Sequence, residues 1–328
     1  MITIKDVAEK AGVSIAAVSY ALNGTGSVSF ETKKRILDVV KELDYVPSEN
    51  ARRLKQKKSK SIGLILRSFV TGFYGVLVEG ASLTSQRYNV NLEVHISPLP
   101  REDLIYSIMQ SNVDGFIILH SDFMDEDIWK IKKGGFPIVF LDREIREEKI
   151  SSVLVNNAGG LSLVFDHLVK TGHKRIAYMR GDGCYDDKKR FEGYVNSMKK
   201  YARPIDDSLI LTGGFTEYAG YYAFRDAHSK MLQLPDAICC GNDSMAWGCI
   251  RAIEELGFRV PEDISVTGFD GYFIKPENMP LTTVYNPAGQ IAQKAVEEVV
   301  RLMEPGEEGR ITVIEPKVLI RDSTVYRM

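Results

Sequence analysis

Six cationic side chains crowd into residues 52–60: Arg52, Arg53, Lys55, Lys57, Lys58 and Lys60. A run this dense suits a polyanion, because each Lys or Arg that neutralises a phosphate releases a condensed counterion. The other reactive side chains are arranged less suggestively. His95, His120, His167, His173 and His228 lack metal-ligand spacing, and Cys184, Cys239, Cys240 and Cys249 form no paired CxxC motif. Adjacent Cys239 and Cys240 rarely bridge, so they read as small buried hydrophobes. No Ser stands in GxSxG, and neither Gly24-Thr25-Gly26 nor Gly181-Asp182-Gly183 continues to GxGxxG. The expectation is no catalytic residue, no disulfide, no metal and no cofactor.

The cations are unevenly spread. Net charge is −2 over 328 residues, yet residues 1–60 hold 12 Lys and Arg against 7 Asp and Glu, leaving −7 for the rest. A basic head on an acidic body fits a chain that touches nucleic acid at one end. The length predicts two or three domains, and no run nears the roughly 18 apolar residues that span a bilayer. Met1 to Tyr20 carries Lys5, Asp6, Glu9 and Lys10 and has no apolar signal segment, so a cytoplasmic protein without a membrane partner is expected.

The head divides into three short capped helices. Thr3 with Asp6 has the form of a capping box, Val7, Ala8 and Ala11 share a face, and Gly12 ends the first helix. Ser14 can cap the second, with Val18, Ala21 and Leu22 inward. Ser29 can cap the third, carrying Ile36, Val39, Val40 and Leu43. This pattern is a helix-turn-helix, whose second helix presents its first residues to base edges in the major groove. Those residues are Ile15, Ala16 and Tyr20. Ile15 and Ala16 offer only apolar contact, which suits thymine methyl groups, and the Tyr20 phenol can make one hydrogen bond.

From Ser61 onward, short β-branched runs alternate with amphipathic stretches. Strands are predicted at 62–66, 90–96, 115–119, 138–141, 153–155, 175–179, 208–211, 237–240, 264–268 and 318–321. Helices are predicted at 74–88, 101–111, 161–170, 188–201, 219–230, 244–256 and 290–303. Alternating βα units argue for parallel sheets covered on both faces, here in two lobes. The expected fold is an all-α helix-turn-helix head on an α/β body of two doubly wound parallel-sheet lobes. The expected division is a head at 1–47, a linker at 48–60 and a body at 61–328. Within the body, one lobe takes 61–156 and 287–312, and the other takes 157–286 and 313–328.

The segments TIKDVAEKAGVSIAAVSYALNG, VSFETKKRILDVVKELDYVPSENARRLK and SIGLIL resemble the opening of the LacI/GalR family of transcription regulators. GHKRIAYMRG, RFEGY, CCGNDSMAWGCIRAIEELGFRVPEDISVTGFD and LTTVYNP continue the resemblance in order along nearly the whole chain. It implies a repressor whose periplasmic-binding-protein-like body binds a small-molecule effector and whose homodimer binds palindromic double-stranded operator DNA. Ser14, Ser19 and Asn23 then correspond to phosphate contacts. Ala51, Arg52, Leu54 and Lys55 correspond to a hinge helix whose leucine wedges into the minor groove.

The family's motif positions also imply the effector residues Phe73, Tyr74, Asp142, Arg190, Phe215, Asn242 and Asp270. Phe215 stands where an aromatic stacks on a sugar ring or base. Carboxylates, a guanidinium and rings together suit a polyhydroxylated ligand, so a sugar or sugar derivative is expected. A nucleobase or nucleoside is the alternative, and a solute-binding protein without a role in transcription is a more distant one. Asp243 has the alternative of capping a helix, and Asp142 that of pairing with Arg143. Asn156 and Gly271 depart from the residues usual at those positions. Helices near 74–88 and 218–230 are the expected dimer faces, and the short segment after VLIRDST favours a dimer over a tetramer. A protein co-regulator, as some relatives use, is left open.

Overall fold

A computed structural model describes residues 3–23, 28–43, 45, 60–96, 108, 111, 113–121, 123, 125–272 and 280–327. The head packs helices α1 (Ile4–Ala11), α2 (Ile15–Asn23) and α3 (Phe30–Glu42) around Val7, Val18, Ala21, Leu22, Ile36, Val40 and Tyr45. Its caps explain its boundaries. Asp6 Oδ2 accepts from Thr3 N at 2.7 Å and from Thr3 Oγ1 at 2.8 Å, and Gly12 closes α1 at φ 64°. Ser14 Oγ accepts from Ala17 N and Ser29 Oγ from Thr32 N.

Among the described residues, the body contains two six-stranded sheets. The first comprises β1 (Ser61–Leu66), β2 (Asn91–Ile96), β3 (Gly115–Leu119), β4 (Ile138–Phe140), β5 (Ile150–Val155) and β11 (Ile311–Ile314), in the order β11-β5-β4-β3-β1-β2. The second comprises β6 (Ile176–Arg180), β7 (Ile210–Thr212), β8 (Ala237–Cys240), β9 (Ser265–Asp270), β10 (Thr282–Tyr285) and β12 (Lys317–Leu319), in the order β12-β10-β9-β8-β6-β7. The helices in chain order are α4 (Gly72–Arg87), α5 (Asp125–Lys133), α6 (Asn157–Lys170), α7 (Tyr185–Lys200), α8 (Glu217–Lys230), α9 (Asp243–Glu255) and α10 (Ala288–Leu302).

The inner strands of each sheet are buried on both faces, as near-continuous apolar strands require. Along β1, Ile62, Leu64 and Leu66 pack with Leu77 of α4 and Ile291 and Ala295 of α10, while Ile65 joins Phe116, Ile118 and Phe140 on the other face. In the second lobe, Ala177 and Met179 meet the α9 side, and Ile176 and Tyr178 meet α6 and α7. Each Leu, Ile, Met or Phe side chain among these contributes roughly 1.5–3 kcal/mol on burial.

Several expectations needed correction. The second sheet is not wholly parallel, because β12 runs antiparallel to β10. Strands β10 and β11 and helix α5 were not anticipated. Ser208 and Leu209 lie in a 3-10 turn whose Asp206 side chain accepts from Ser208 N, so β7 begins only at Ile210. β11 pairs with β5 and carries the first sheet to Ile314. The expected helix at 101–111 lies almost wholly outside the described residues.

Candidate effector cleft and DNA-reading surface

In the head, the core-facing stripe of α2 leaves the opposite face outward. Ser14, Ile15, Ala16 and Tyr20 are exposed, with Ile15 at 45% and Tyr20 at 47%, and Ser19 is half-buried beside them. Asn23 ends α2. Ala51, Arg52, Leu54 and Lys55 lie outside the described residues. Just before β1, the Lys60 carbonyl accepts from Asn91 N at 2.9 Å and its Nζ lies 3.4 Å from Glu304. Beside it, Ser61 N donates to Asp114 Oδ2.

The other candidates gather where strand ends of the two lobes meet, the position at which open α/β sheets bind ligands. Arg190 of α7 is the centre and is only 3% exposed. Its Nε donates to Asn157 Oδ1 at 2.8 Å and its Nη1 to the Gly241 carbonyl at 2.7 Å. The guanidinium lies 3.8 Å from the Phe269 ring centroid and 5.8 Å from that of Phe215. Its Nη2 is left toward two carboxylates, Asp186 at 3.5 Å and Asp270 at 3.7 Å. Asn157 in turn donates to Asp186 Oδ1. The cation is thus fixed in orientation before any ligand arrives.

Asp270 ends β9 with φ 119°, a left-handed conformation that costs a non-glycine residue about 1–3 kcal/mol. Neighbours hold it there. Asn286 N donates to the Asp270 carbonyl and Asp243 Oδ2 accepts from Gly271 N at 2.7 Å. Burial raises the Asp270 pKa to about 6, opposed by Arg190, with Asp186 adding to the rise.

Phe215 also has a left-handed backbone, φ 59°, and its ring fills the space a side chain would occupy at Gly181. Asn242 caps α9 through Oδ1 to Met245 N at 2.9 Å, and its Nδ2 donates to the Phe215 carbonyl at 3.1 Å. Asn242 is therefore occupied mainly in shaping the cleft. The capping alternative for Asp243 is corrected: Asn242 is the cap, and Asp243 reaches Thr283 Oγ1 and Gly271 N.

From the first lobe, Asp142 follows β4. Its Oδ1 lies 3.4 Å from Arg143 Nε, but Oδ2 is buried without a hydrogen-bond partner in the protein. An unpaired buried carboxylate oxygen is costly. Burial raises its pKa to about 6, with Arg143 opposing and Asp186 reinforcing. Tyr74 is raised to about 12, first by burial and then by Asp270 and Asp186, so it approaches the second lobe's carboxylates. Phe73 packs edge-on against Tyr74 and Tyr272. Arg67, after β1, reaches across to Asp182 at 3.8 Å. Asn156 caps α6 through Gly159 N and donates to Glu315, tying two crossovers together.

Asn157, Asp186, Asp243 and Tyr272 complete the cleft and were not singled out as effector contacts. Only the Asp186–Arg190 pair had a sequence signal, the i, i+4 spacing on one helix.

A helix-turn-helix head joined to two sheet lobes facing one another across a charged cleft defines a ligand-controlled DNA-binding regulator. Residues 3–48 match the family model of bacterial regulatory proteins, lacI family, and residues 165–324 match a periplasmic binding protein-like domain. The probable HTH-type transcriptional repressor ExuR of Bacillus subtilis (strain 168) is 32% identical over 338 residues, covering 98% of each chain. The HTH-type transcriptional repressor PurR of Serratia proteamaculans (strain 568) is 32% identical over 335 residues, 98% of this chain and 97% of that one. Among solved structures, the regulator CelR in complex with cellobiose aligns at TM-score 0.76 and 27% identity, covering 98% of this chain and all of that chain. The lac repressor dimer bound to operator and the anti-inducer ONPF aligns at TM-score 0.70 and 26% identity, covering 99% of each.

The chain belongs to the LacI family of bacterial transcription regulators: it is a transcriptional repressor with an effector-binding domain. Repressors of this family bind operator DNA and small effectors as dimers, and its named relatives are repressors rather than enzymes. Among the described residues, no helix is long and apolar enough to cross a membrane.

Proposed function

We propose that this repressor is controlled by a neutral, polyhydroxylated molecule of sugar size, bound between the lobes by Arg190, Asp270 and Asp142 and covered by Phe215, Phe73 and Tyr74. The observation that carries this reading is the oxygen-rich, pre-oriented centre. Two buried carboxylates with pKa values near 6 lie on opposite lobes, each electrostatically coupled to Asp186, around one immobilised guanidinium. Carboxylates accept from vicinal hydroxyls, while a phosphate or a second carboxylate would meet Asp142, Asp186 and Asp270 with repulsion. The Phe215 ring also favours a second reading, a nucleobase stacked on it.

The head, 1–47, then reads each half of a palindromic operator with Ile15, Ala16 and Tyr20 at base edges and Ser14, Ser19 and Asn23 toward phosphates. Residues 48–60, with Leu54 as wedge, link it to the body at 61–328, and the protein acts in the cytoplasm as a homodimer. A co-regulator protein is not required by this scheme.

Thermal-shift measurement against neutral hexoses, cellobiose, sugar phosphates, hexuronates, hypoxanthine and guanine tests the ligand class. A true effector at 100 times its dissociation constant adds about 2.7 kcal/mol of stability. Neutral sugars should raise the melting temperature. A shift with nucleobases alone would replace the sugar reading by the second one.

A further inference from the structure

Tyr272 lies two residues beyond Asp270, on the second lobe's β9 loop, yet its side chain packs with the core of the first lobe. Its ring meets Phe73 of α4 at 6.2 Å between centroids and Tyr285 at 5.5 Å. Its hydroxyl accepts from Ala288 N at 2.9 Å, the first residue of α10, an amide it shares with the Asn286 carbonyl. The first turn of α4 comes as close: a Cβ on Gly72 would stand 3.0 Å from the Tyr272 carbonyl and 3.1 Å from its Cβ. Helices α4 and α10 are themselves in tight register, since a Cβ on Gly80 would meet Gly289 at 3.0 Å and Ala292 at 3.1 Å.

The far end of α10 lies at the linker. Its 15 residues make a rod about 22 Å long at the usual helical rise. Just past its last turn, Glu304 faces Lys60, where the body takes over from the basic linker. One rigid helix therefore has its first turn at the cleft and its last beside the chain that leads to the DNA-binding head. Two short paths join Asp270 to that first turn: Gly271-Tyr272, with Asp243 gripping Gly271 N, and Asn286, whose N donates to the Asp270 carbonyl two residues before Ala288.

We propose that Tyr272 is a positioning residue that couples the effector cleft to the linker, by fastening the loop after Asp270 to the first turns of α10 and α4. A ligand that draws on Asp270 moves the Gly271-Tyr272 step. The Tyr272 hydroxyl and ring carry that movement into α10, and α10 shifts the exit of Lys60. This rests on the proposed role of Asp270 in effector binding, but its test needs no effector.

Hydrogen–deuterium exchange of the full-length dimer is compared for wild type, Asp270→Asn, Tyr272→Phe and the double variant, following peptides that cover 288–292 and 60–66. Asp270→Asn alters the charge at the cleft end and should change exchange in both peptides by about fivefold, the size of coupling carried by a discrete two-state element. In the Tyr272→Phe background the same substitution should change them by less than about twofold, because the hydroxyl link is gone while the ring still packs. Phe73→Leu, which loosens the contact from the α4 side, should weaken the coupling likewise. Equal Asp270→Asn effects with and without the Tyr272 hydroxyl would overturn the proposal and leave the ligand class untouched. No response at 60–66 to Asp270→Asn in the wild-type background would overturn it as well.

Discussion

Replacing Arg190 by Met removes the guanidinium while keeping most of the apolar stem. Its Nη2 stands 3.7 Å from Asp270, a separation worth about 4 kcal/mol at an effective dielectric of 20. The Asn157 Oδ1 and Gly241 carbonyl also lose donors, at roughly 1–3 kcal/mol each if buried unpaired. Protonation of Asp270 offsets part of this, because without Arg190 its pKa rises further above 6. The net loss at pH 7.5 should therefore fall within the roughly 3–5 kcal/mol seen on breaking buried pairs, or about 10 °C in melting temperature. The pH dependence is the sharper part. At pH 5 Asp270 is mostly protonated in both proteins, so the Coulomb share disappears and the loss shrinks by about 2 kcal/mol. Urea unfolding at the two pH values measures this. A loss below about 1 kcal/mol, or one equal at both pH values, would refute the electrostatic account of Arg190.

Gly181→Ala places a Cβ 2.2 Å from the Phe215 ring, so the ring must leave its position. Effector affinity should fall at least about tenfold in calorimetric titration, with DNA binding by the ligand-free protein unchanged. Asn242→Ala loses both the α9 cap and the Phe215 tether, and should cost about 1–2 kcal/mol in thermal unfolding as well as weakening the ligand. Asp142 and Asp270 have raised pKa values of about 6, so their ionisation costs the fold most above that pH, and the cost fades to nothing below the unfolded value near 3.8, where both groups are protonated. A hydroxyl donor binds the ionised form, so affinity should be greatest above about pH 7 and fall up to tenfold per unit per carboxylate below 6. Flat affinity between pH 8 and 5 would contradict their role as acceptors.

The head was the most legible part, because caps and apolar stripes are local. Thr3 with Asp6, Gly12, Ser14 and Ser29 sit at the helix ends their types suggest. The long buried strands were legible for the same reason. Thr282–Tyr285 was overlooked because its two buried threonines are satisfied from far along the chain, Thr282 N by Ser323 Oγ and Thr283 Oγ1 by Asp243 Oδ1, which no local pattern reveals. Ile311–Ile314 is a half-exposed edge strand with few inward residues. Helix α5 carries Asp125, Glu126, Asp127, Lys130, Lys132 and Lys133 among few apolar positions, which hides its inward Ile128 and Ile131. In the cleft, Arg190 and Asp270 were marked by motif, but the assignment of Asn242 as cap and Asp243 as a long-range anchor depends on β9 lying beside α9. Tyr272 depends on the two lobes meeting, and its spacing in the chain carries no hint of that.

The account's central claim is that ligand in the cleft changes affinity for DNA at the head. Mobility-shift titration of the full-length dimer on a palindromic duplex selected with the protein tests it, in wild type and Arg190→Met, with and without the sugar that gives the largest thermal shift. The sugar should change the wild-type dissociation constant by about 5- to 150-fold and leave the Arg190→Met value unmoved. The same DNA affinity for wild type with and without bound sugar would contradict the claim.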